Sequence, residues 1–265
     1  MALYIISDLH IRDETDPLLN HLMQWVDRAQ QDDQLILAGD LFDLFVGNKN
    51  VFRDRYQGFI ETLRRAGQRG VKSIYIEGNH DFQIRSAFKG IKGLKVTSRE
   101  VRLNLDGKKF FIAHGDQVDR SDYKYLAWRL FLRSPLMKGV IAAAPGSWVE
   151  GVGRISSQKS RQTKPLLPVD LPKGSREELR KTYRNFAADR LLEGFDYVVL
   201  GHCHDLDEMC FSIGDRTGQY VNVGYPRIHD TYLVWNPGES KIRRENLSSL
   251  SHHRNDPART SLEKR

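Results

Sequence analysis

The sequence predicts an α/β fold with mixed sheets, on the basis of three observations. Short apolar runs, each the length of a buried strand, alternate in the first half of the chain with segments of helical apolar spacing, which is typical of strand–helix–strand units. Apolar and polar residues alternate over residues 101–105, Asp106-Gly107 is a turn signal, and residues 109–113 can form the returning strand. This pattern predicts an antiparallel hairpin. A length of 265 residues with 40% hydrophobic content suffices for one core with an inserted subdomain.

Five of the apolar runs are followed, directly or after one glycine, by Asp, Asn or His. These runs are residues 4–7, 35–38, 73–77, 110–113 and 197–200. Helices are predicted at residues 17–31, at residues 51–69, and from the capping-box sequence at Ser175 to near Gly194, and residues 219–223 and 231–235 are strand-like. If the five strands lie side by side, their polar end residues converge on one sheet edge, where α/β proteins build their sites.

The segment that follows the hairpin has a different composition. Ser121 is the predicted N-cap of an apolar helix that ends at Pro135, and a second helix ends at Pro145-Gly146 before a third short one at residues 148–155. We therefore divide the chain into three parts. These are a core of residues 1–119 and 170–247, a helical insertion of residues 120–169, and a polar tail of residues 248–265 that we expect to be disordered.

The positive charge of the chain is concentrated in the insertion. The whole chain carries a formal charge of +7, and the segment from Arg120 to Pro165 alone has nine basic and two acidic residues. A charge confined to one insertion argues against a general nucleic-acid-binding surface. It favours a local anionic ligand or an anionic membrane surface, and the sequence identifies no protein partner.

The chain has the features of a cytoplasmic protein. The two cysteines, Cys203 and Cys210, form neither a disulfide framework nor a zinc knuckle and indicate a reducing compartment. No apolar run approaches the roughly 20 residues of a membrane-spanning helix, and the N-terminus lacks the basic region of a signal peptide.

The residues at the strand ends offer ligands for metal ions. The candidate ligands are Asp8, His10, Asp40, Asn79, His114, His202 and His204. Each short motif alone is typical of a turn or a cap, but five of them at successive strand ends favour a shared site. Mixed carboxylate, amide and imidazole ligands suit Mn²⁺, Fe²⁺ or Zn²⁺. Seven ligands exceed the need of one ion, so we predict two divalent ions, with Mn²⁺ preferred, that share a carboxylate and act on a phosphoryl group.

These motifs resemble those of the calcineurin-like metallophosphoesterases. The matching sequences are Asp8-x-His10, Gly39-Asp40-x-x-Asp43, Gly78-Asn79-His80-Asp81, His114-Gly115 and Gly201-His202-x-His204. The resemblance covers residues 3 to about 236 apart from the insertion. It implies a four-layer αββα sandwich of two mixed sheets. It also implies one ion held by Asp8, His10, Asp40 and His204, and another held by Asp40, Asn79, His114 and His202. We further predict that His80 assists the leaving group or the phosphoryl oxygens and that the carboxylate of Asp43 orients it through a hydrogen bond.

Three details resemble the UDP-2,3-diacylglucosamine hydrolases of lipid A biosynthesis. They are the early first strand, the sequence Gly78 to Phe82, and His114-Gly115-Asp116 followed by a helical insertion. This resemblance implies that the insertion is a lid for acyl chains, and that Ser160, Thr163 and Lys164 bind the sugar and phosphates together with Asn79 and His202. The chain departs from that family at His80, where members have Arg, and at Cys203, where they have Thr. His80 is the residue of the wider superfamily.

The composition of the insertion agrees with a lid. Large apolar residues alternate with cations between Trp128 and Val149, as on an amphipathic surface element. They can also form the core of a helical hairpin. We expect both, because so short an insertion cannot bury every large apolar group, and a groove or a membrane-facing patch remains.

The resemblance therefore predicts a dimetal pyrophosphatase. It would cleave UDP-2,3-diacylglucosamine to UMP and 2,3-diacylglucosamine 1-phosphate, bound peripherally to the inner membrane. One alternative is a phosphodiesterase or phosphatase of the same fold that acts on a soluble nucleotide or phosphodiester. Another is a non-catalytic membrane or protein scaffold, against which the complete set of seven ligands argues.

Overall fold

We describe the fold from a computed structural model that covers residues 1–47, 49–163 and 167–250, without the side chains of residues 154, 156–163 and 173. In these residues the strands are β1 (Leu3–Ile6), β2 (Gln34–Leu37), β3 (Phe45–Val46), β4 (Lys72–Ile76), β5 (Asp81–Phe82), β6 (Leu94–Thr97), β7 (Val101–Leu105), β8 (Lys108–Ala113), β9 (Tyr197–Leu200), β10 (Glu208–Ile213), β11 (Arg216–Asn222), β12 (Thr231–Trp235) and β13 (Arg243–Asn246). The helices are α1 (Pro17–Arg28), α2 (Asn50–Arg55), α3 (Gln57–Gln68), α4 (Tyr123–Leu132), α5 (Pro135–Ala143), α6 (Gly146–Thr163), α7 (Lys173–Leu192) and α8 (Pro226–His229).

The strands form two mixed sheets and one short pair. The first sheet has the order β13-β12-β1-β2-β4-β6, with β1, β2, β4 and β6 parallel and with antiparallel pairing at β12 and β13. The second has the order β10-β11-β9-β8-β7, in which β11, β9 and β8 are parallel. The predicted hairpin is the antiparallel pair β7–β8. Strands β3 and β5 pair separately.

The two sheets pack face to face, and helices cover their outer faces. Leu3 and Ile5 of β1 lie in the core between the sheets, whereas Ile6 lies on the helix side, as the two-residue period of a strand requires. The core between the sheets also contains Ile36, Ile76, Phe110, Ile112, Val199, Leu233 and Trp235. Helices α1 and α3 cover the first sheet, and α7 covers the second. This arrangement confirms the predicted four-layer αββα sandwich.

The carboxyl ends of five parallel strands lie at one edge of the sandwich. β1, β2 and β4 of the first sheet lead into Asp8, Asp40 and Asn79, and β8 and β9 of the second lead into His114 and His202. Backbone hydrogen bonds link the loops within each sheet. Asp8 N donates to Gly39 O at 3.0 Å in the first, and Gly201 N donates to His114 O at 2.8 Å in the second.

The insertion consists of α4, α5 and α6. Helix α4 begins at Asp122, whose Oδ1 accepts a hydrogen bond from Tyr125 N at 3.0 Å. The predicted cap Ser121 instead donates to Asp119, because Asp122 is the residue adjacent to the first helical turn. Helix α6 is longer than the predicted short helix. Its second half is polar, so the spacing of apolar residues did not reveal it.

Two other element boundaries differ from the predictions. The single helix predicted at residues 51–69 is divided at Tyr56, which has φ −108° and ψ 24°. The Tyr56 ring is buried and lies 4.1 Å from the Phe42 ring, and the bend accommodates this contact. Helix α7 begins at Lys173, directly after Pro172, rather than at the capping box of Ser175.

The C-terminal part of the described chain extends beyond the predicted start of the tail. Ser248 N donates to Asp230 Oδ1 at 2.8 Å, and Leu250 is buried in the core. Residues 248–250 therefore belong to the fold, and the rest of the predicted tail lies outside the described residues. In the described part of the chain, no helix combines the length and the apolar character needed to cross a membrane.

Candidate metal centre

The backbone at the strand ends adopts an uncommon conformation. Asp8, His10, Asp40, His202 and His204 all have φ between 47° and 68°. The left-handed region is uncommon for residues other than glycine. Such strained residues cluster at functional sites, where the surrounding structure maintains them. Five of the seven predicted ligands share this feature.

Three glycines are required because ligand side chains lie against them. A Cβ atom at Gly39 would lie 2.7 Å from His114 Nδ1, one at Gly78 would lie 2.1 Å from Asp40 Oδ1, and one at Gly201 would lie 2.3 Å from Asp8 Oδ2. Each glycine directly precedes a predicted ligand. The Gly-Asp, Gly-Asn and Gly-His pairs of the sequence are therefore explained by close approach of neighbouring loops.

The first group of ligands is Asp8, His10 and His204. The Nε2 atoms of His10 and His204 lie 3.0 Å apart, and His204 Nε2 lies 3.5 Å from Asp8 Oδ1. The carboxylate of Asp8 also accepts hydrogen bonds from His202 N at 3.0 Å. These hydrogen bonds hold the loop that contains His202 and His204 in place. His10 Nε2 lies 3.8 Å from Asp40 Oδ2, so Asp40 borders this group.

The second group is Asp40, Asn79, His114 and His202. His114 Nε2 lies 3.4 Å from Asp40 Oδ2 and 3.1 Å from Asn79 Oδ1, and His202 Nδ1 lies 3.3 Å from His114 Nε2. His114 Nδ1 lies 3.0 Å from Ala38 O and therefore donates to that carbonyl. This hydrogen bond leaves Nε2 as the His114 atom that faces the other ligands.

The seven residues fit two divalent cations. Two imidazole nitrogens that face each other at 3.0 Å, and a second such pair at 3.3 Å, cannot both present bare lone pairs, so either a hydrogen or a metal ion lies between them. Atoms of Asp8, His10 and His204 lie within 4.8 Å of one another, and so do those of Asp40, His114 and His202. Asp40 borders both groups, as expected of a shared carboxylate. Such ions, when bound, activate water and neutralise phosphoryl oxygens.

Burial and charge determine the protonation of these histidines. Burial lowers the pKa of His10 and of His202 to about 4, so both are neutral near pH 7. Burial also disfavours a charge on His114, but the carboxylates of Asp40 and Asp8 outweigh it and raise the pKa of His114 to about 10. Despite its burial, Asp40 has a pKa held well below the usual range by neighbouring imidazoles, chiefly that of His114.

Metal binding to the metal-free protein is expected to release a proton near pH 7. Below pH 10 the ion must displace the proton of His114, so its affinity rises with pH by up to about tenfold per pH unit. Calorimetry in buffers of different ionisation enthalpy measures this release, and above the pKa of about 10 it should disappear. An enthalpy independent of the buffer at pH 7 would contradict this assignment. In the metal-free fold the stabilisation from His114 is full below its unfolded pKa and is lost as the pH rises through about 10.

His80 and Asp43 lie beside the centre, but their contact differs from the predicted one. His80 Nδ1 lies 2.9 Å from the main-chain oxygen of Asp43 and 4.0 Å from its carboxylate. The carboxylate is slightly closer to His10 Nδ1, at 3.8 Å. The main-chain carbonyl thus accepts from His80 Nδ1, and the Asp43 side chain lies between two imidazoles.

Asp81 is a site residue to which the sequence analysis gave no role. Its carboxylate accepts hydrogen bonds from the backbone nitrogens of Asp40, Leu41 and Gly78 at 2.7 to 3.0 Å, and from Tyr75 Oη at 2.7 Å. Burial and the nearby Asp40 raise its pKa to about 7. Asp81 therefore joins the loop of Asp40 to that of Asn79. The sequence feature that could have indicated this role is the position of Asp81 in the Gly78-Asn79-His80-Asp81 motif.

The predicted substrate ligands are only partly described by the structure. Asn79 borders the groove beneath the insertion, and the His202 ring lies 6.1 Å from the ring of Tyr125 in α4. Lys164 and the side chains of Ser160 and Thr163 lie outside the described residues. Their contact with a sugar or phosphate stays a prediction.

Comparison with known proteins gives a family and several relatives. The sequence model of the calcineurin-like phosphoesterase family matches residues 1–206, which contain all five motifs. The UDP-2,3-diacylglucosamine hydrolase of Pseudomonas aeruginosa is 27% identical over 209 residues, 78% of this chain and 86% of that protein. The hydrolase of that name from Nitrosococcus oceani is 27% identical over 246 residues, 91% and 90% of the two chains. The hydrolase of that name from Vibrio atlanticus is 26% identical over 259 residues, which are 94% of this chain and 99% of that protein. With this match and the seven predicted ligands assembled at one edge, the chain belongs to the calcineurin-like phosphoesterase family and is a metal-dependent hydrolase.

Proposed function

We propose that this hydrolase cleaves the pyrophosphate of an acylated UDP-sugar, UDP-2,3-diacylglucosamine, to UMP and 2,3-diacylglucosamine 1-phosphate in lipid A biosynthesis. The observation that carries the proposal is an apolar groove of about 400 Å³ between the insertion and the metal centre. Its lining includes Tyr125, Trp128, Leu132, Met137, Val140, Ile141, Trp148, Val149 and Val152 from the insertion, and Asn79 and His80 from the site. The volume is that of a typical ligand cleft.

The composition of the groove favours an acyl chain over a soluble nucleotide. Helices α4, α5 and α6 supply most of its apolar lining, and Asp43, Asn79 and His80 beside the centre are among its polar lining residues. An acyl chain gains roughly 0.8 kcal/mol for each buried methylene group. The relatives reported above are named for the same substrate, which supports this choice.

The groove also supports an orientation of the substrate. If the acyl chains lie among α4, α5 and α6, the sugar and its phosphate lie nearest to them. The uridine-side phosphorus then lies over Asp40, between the two groups of ligands. Attack by water at that phosphorus makes the sugar 1-phosphate the leaving group. The chain's own contribution is to hold the lipid end and to keep the pyrophosphate at the ligand edge.

Hydrolysis in ¹⁸O-labelled water tests this function. With UDP-2,3-diacylglucosamine as substrate, we expect UMP that carries the label and an unlabelled acylated sugar 1-phosphate, measured by mass spectrometry. Label in the lipid product would reverse the orientation. Brisk hydrolysis of bis(p-nitrophenyl) phosphate with no turnover of the lipid would contradict the proposal and support a soluble phosphodiester as substrate.

A pair of variants in the insertion separates groove binding from general effects. Val152 is 49% exposed and lines the groove, whereas Leu130 is 69% exposed and lies outside its lining. With a short-chain, monomeric analogue, Val152→Glu should raise KM by at least about tenfold, the equivalent of roughly two buried methylene groups. Leu130→Glu should leave KM unchanged, and neither variant should alter hydrolysis of the small phosphodiester. Equal KM values for the two variants would argue against the groove as the acyl site.

We extend the proposal to docking on an anionic membrane surface such as the inner membrane. The insertion exposes large apolar side chains: Trp128, Leu130, Phe131, Leu136, Trp148 and Ile155. Lys124, Lys138 and Arg120 lie in the same segment, and such a mixture suits an interfacial element. Sedimentation with lipid vesicles tests it: we expect binding to anionic vesicles and little to zwitterionic ones. Failure to bind the anionic vesicles would contradict the extension.

A further inference from the structure

Arg129 of helix α4 and Arg133, which caps the C-terminus of that helix, contact loops of the metal centre. Arg129 Nε donates a hydrogen bond to Asp116 Oδ2, and its Nη2 donates to Ser98 O at 3.3 Å. The side chains of Arg129 and Asp116 are 8% and 2% exposed. Asp116 also accepts from Tyr125 Oη at 3.0 Å. Because Asp116 is two residues after His114, this buried pair fixes the loop that presents the His114 ligand.

Arg133 contacts the other loop of the same ligand group. Its Nη2 donates to Gly78 O at 2.7 Å, and its Nε lies 3.8 Å from the carboxylate of Glu77. The guanidinium also lies 5.6 Å from the centre of the Phe82 ring. Gly78 O belongs to the peptide group that precedes Asn79, so Arg133 fixes the backbone from which the Asn79 ligand projects.

The first group of ligands has different anchors, which belong to the core. Arg227 Nη2 donates to His10 O at 2.9 Å. Arg176 and Arg180 of α7 bind the carboxylate of Asp205, the residue after His204. Among the described contacts, Arg129 and Arg133 reach neither of these loops. The two ligand groups thus depend on different arginines, and only the second depends on the insertion.

We infer that Arg129 and Arg133 are positioning residues that set the affinity of the ion held by Asn79 and His114. Partners that orient metal ligands typically contribute on the order of 10- to 100-fold to metal affinity. Because α4 also forms a wall of the apolar groove, the insertion would then couple the groove to one of the two ions. The inference concerns the metal centre and stands whether or not the groove binds an acyl chain.

Equilibrium dialysis of the metal-free protein against Mn²⁺ tests the inference. One variant is Arg133→Met. The other combines Arg129→Met with Asp116→Asn so that no unpaired charge is buried. Each should weaken the binding of one ion by about 10- to 100-fold and leave the affinity for the other unchanged. Electron paramagnetic resonance should then show isolated Mn²⁺ in place of a coupled pair. Weakening of both ions equally, or of neither, would overturn the inference.

Comparison with a ligand variant identifies which ion is affected. Asn79→Ala should lose the same ion, so Arg133→Met should add nothing in an Asn79→Ala background but should weaken the remaining ion in a His10→Ala background. An additive loss in the Asn79→Ala background would overturn the assignment.

Further variants separate positioning from folding. Arg55→Met removes another arginine that joins the insertion to the core, through Glu150 at 2.7 Å, and should retain both ions. Arg133→Lys keeps the charge and a donor, and should restore part of the lost affinity. If thermal unfolding shows that Arg133→Met does not fold, Arg133→Lys is itself the test. Wild-type affinity for both ions in that folded variant would overturn the inference.

Discussion

Replacement of Asp40 with asparagine is expected to remove at least one metal ion and nearly all turnover. Asp40 is buried, and its Oδ2 lies 3.8 Å from His10 Nε2 and 3.4 Å from His114 Nε2. It is the carboxylate that borders both groups of ligands, and an amide offers one oxygen without a charge. Loss of metal forfeits several kcal/mol of charge stabilisation in the transition state, which corresponds to at least about 10³-fold in kcat. Metal analysis and initial rates measure both effects.

A glycine variant tests the same geometry with every ligand retained. A Cβ atom at Gly78 would lie 2.1 Å from Asp40 Oδ1, so Gly78→Ala should displace the carboxylate and lower metal content as well. Gly139→Ala is the matched control, because nothing lies within 4 Å of a Cβ atom there and alanine favours a helix. Two ions and wild-type turnover in Asp40→Asn would exclude Asp40 as a shared ligand.

Two of the strands that lead into candidate ligands could be predicted because they are buried on both faces. β2 and β9 are apolar at every buried position except Gln34 and Tyr197, and such runs are recognisable without knowledge of their partners. β13 contains no apolar residue. It exists because it pairs with β12, and because Arg244 donates to Asn222 O at 2.7 Å. Contacts of that kind depend on the assembled fold and leave no local pattern.

The sequence could also indicate the candidate ligands, whereas it could not indicate the residues that hold them in place. A metal site limits the residue types to a few, and each candidate ligand lies within four residues of the end of a strand. Asp81 acts through hydrogen bonds to the backbone of another loop, and Asp116 acts through a hydrogen bond to Arg129 of α4. Their sequence neighbours do not reveal these partners. His80 shows the limit most clearly. Its predicted partner was the Asp43 carboxylate, but the hydrogen bond goes to the carbonyl, a group that every residue has.

The second large expected effect is a loss of turnover in His80→Ala, and it depends on this hydrogen bond from His80 to Asp43. With Nδ1 donating to Asp43 O at 2.9 Å, the ring is fixed and Nε2 remains to exchange a proton or to bind a phosphoryl oxygen. The His80 side chain is 21% exposed and lines the groove, so a substrate can reach it. We expect kcat to fall on the order of 10²- to 10⁴-fold, with metal content unchanged because His80 is not one of the seven predicted ligands.

A series of leaving groups determines which role His80 has. If His80 protonates the leaving group, His80→Ala should harm alkyl esters far more than p-nitrophenyl esters, because p-nitrophenolate leaves without a proton. If it stabilises phosphoryl oxygens, the loss should be equal across the series. Asp43→Asn is the matched control: it retains the main-chain carbonyl and therefore the orientation of His80. Its effect should appear in metal affinity, through His10 at 3.8 Å, and not in the leaving-group dependence. An unchanged kcat in His80→Ala would reduce His80 to a packing residue beside the metals.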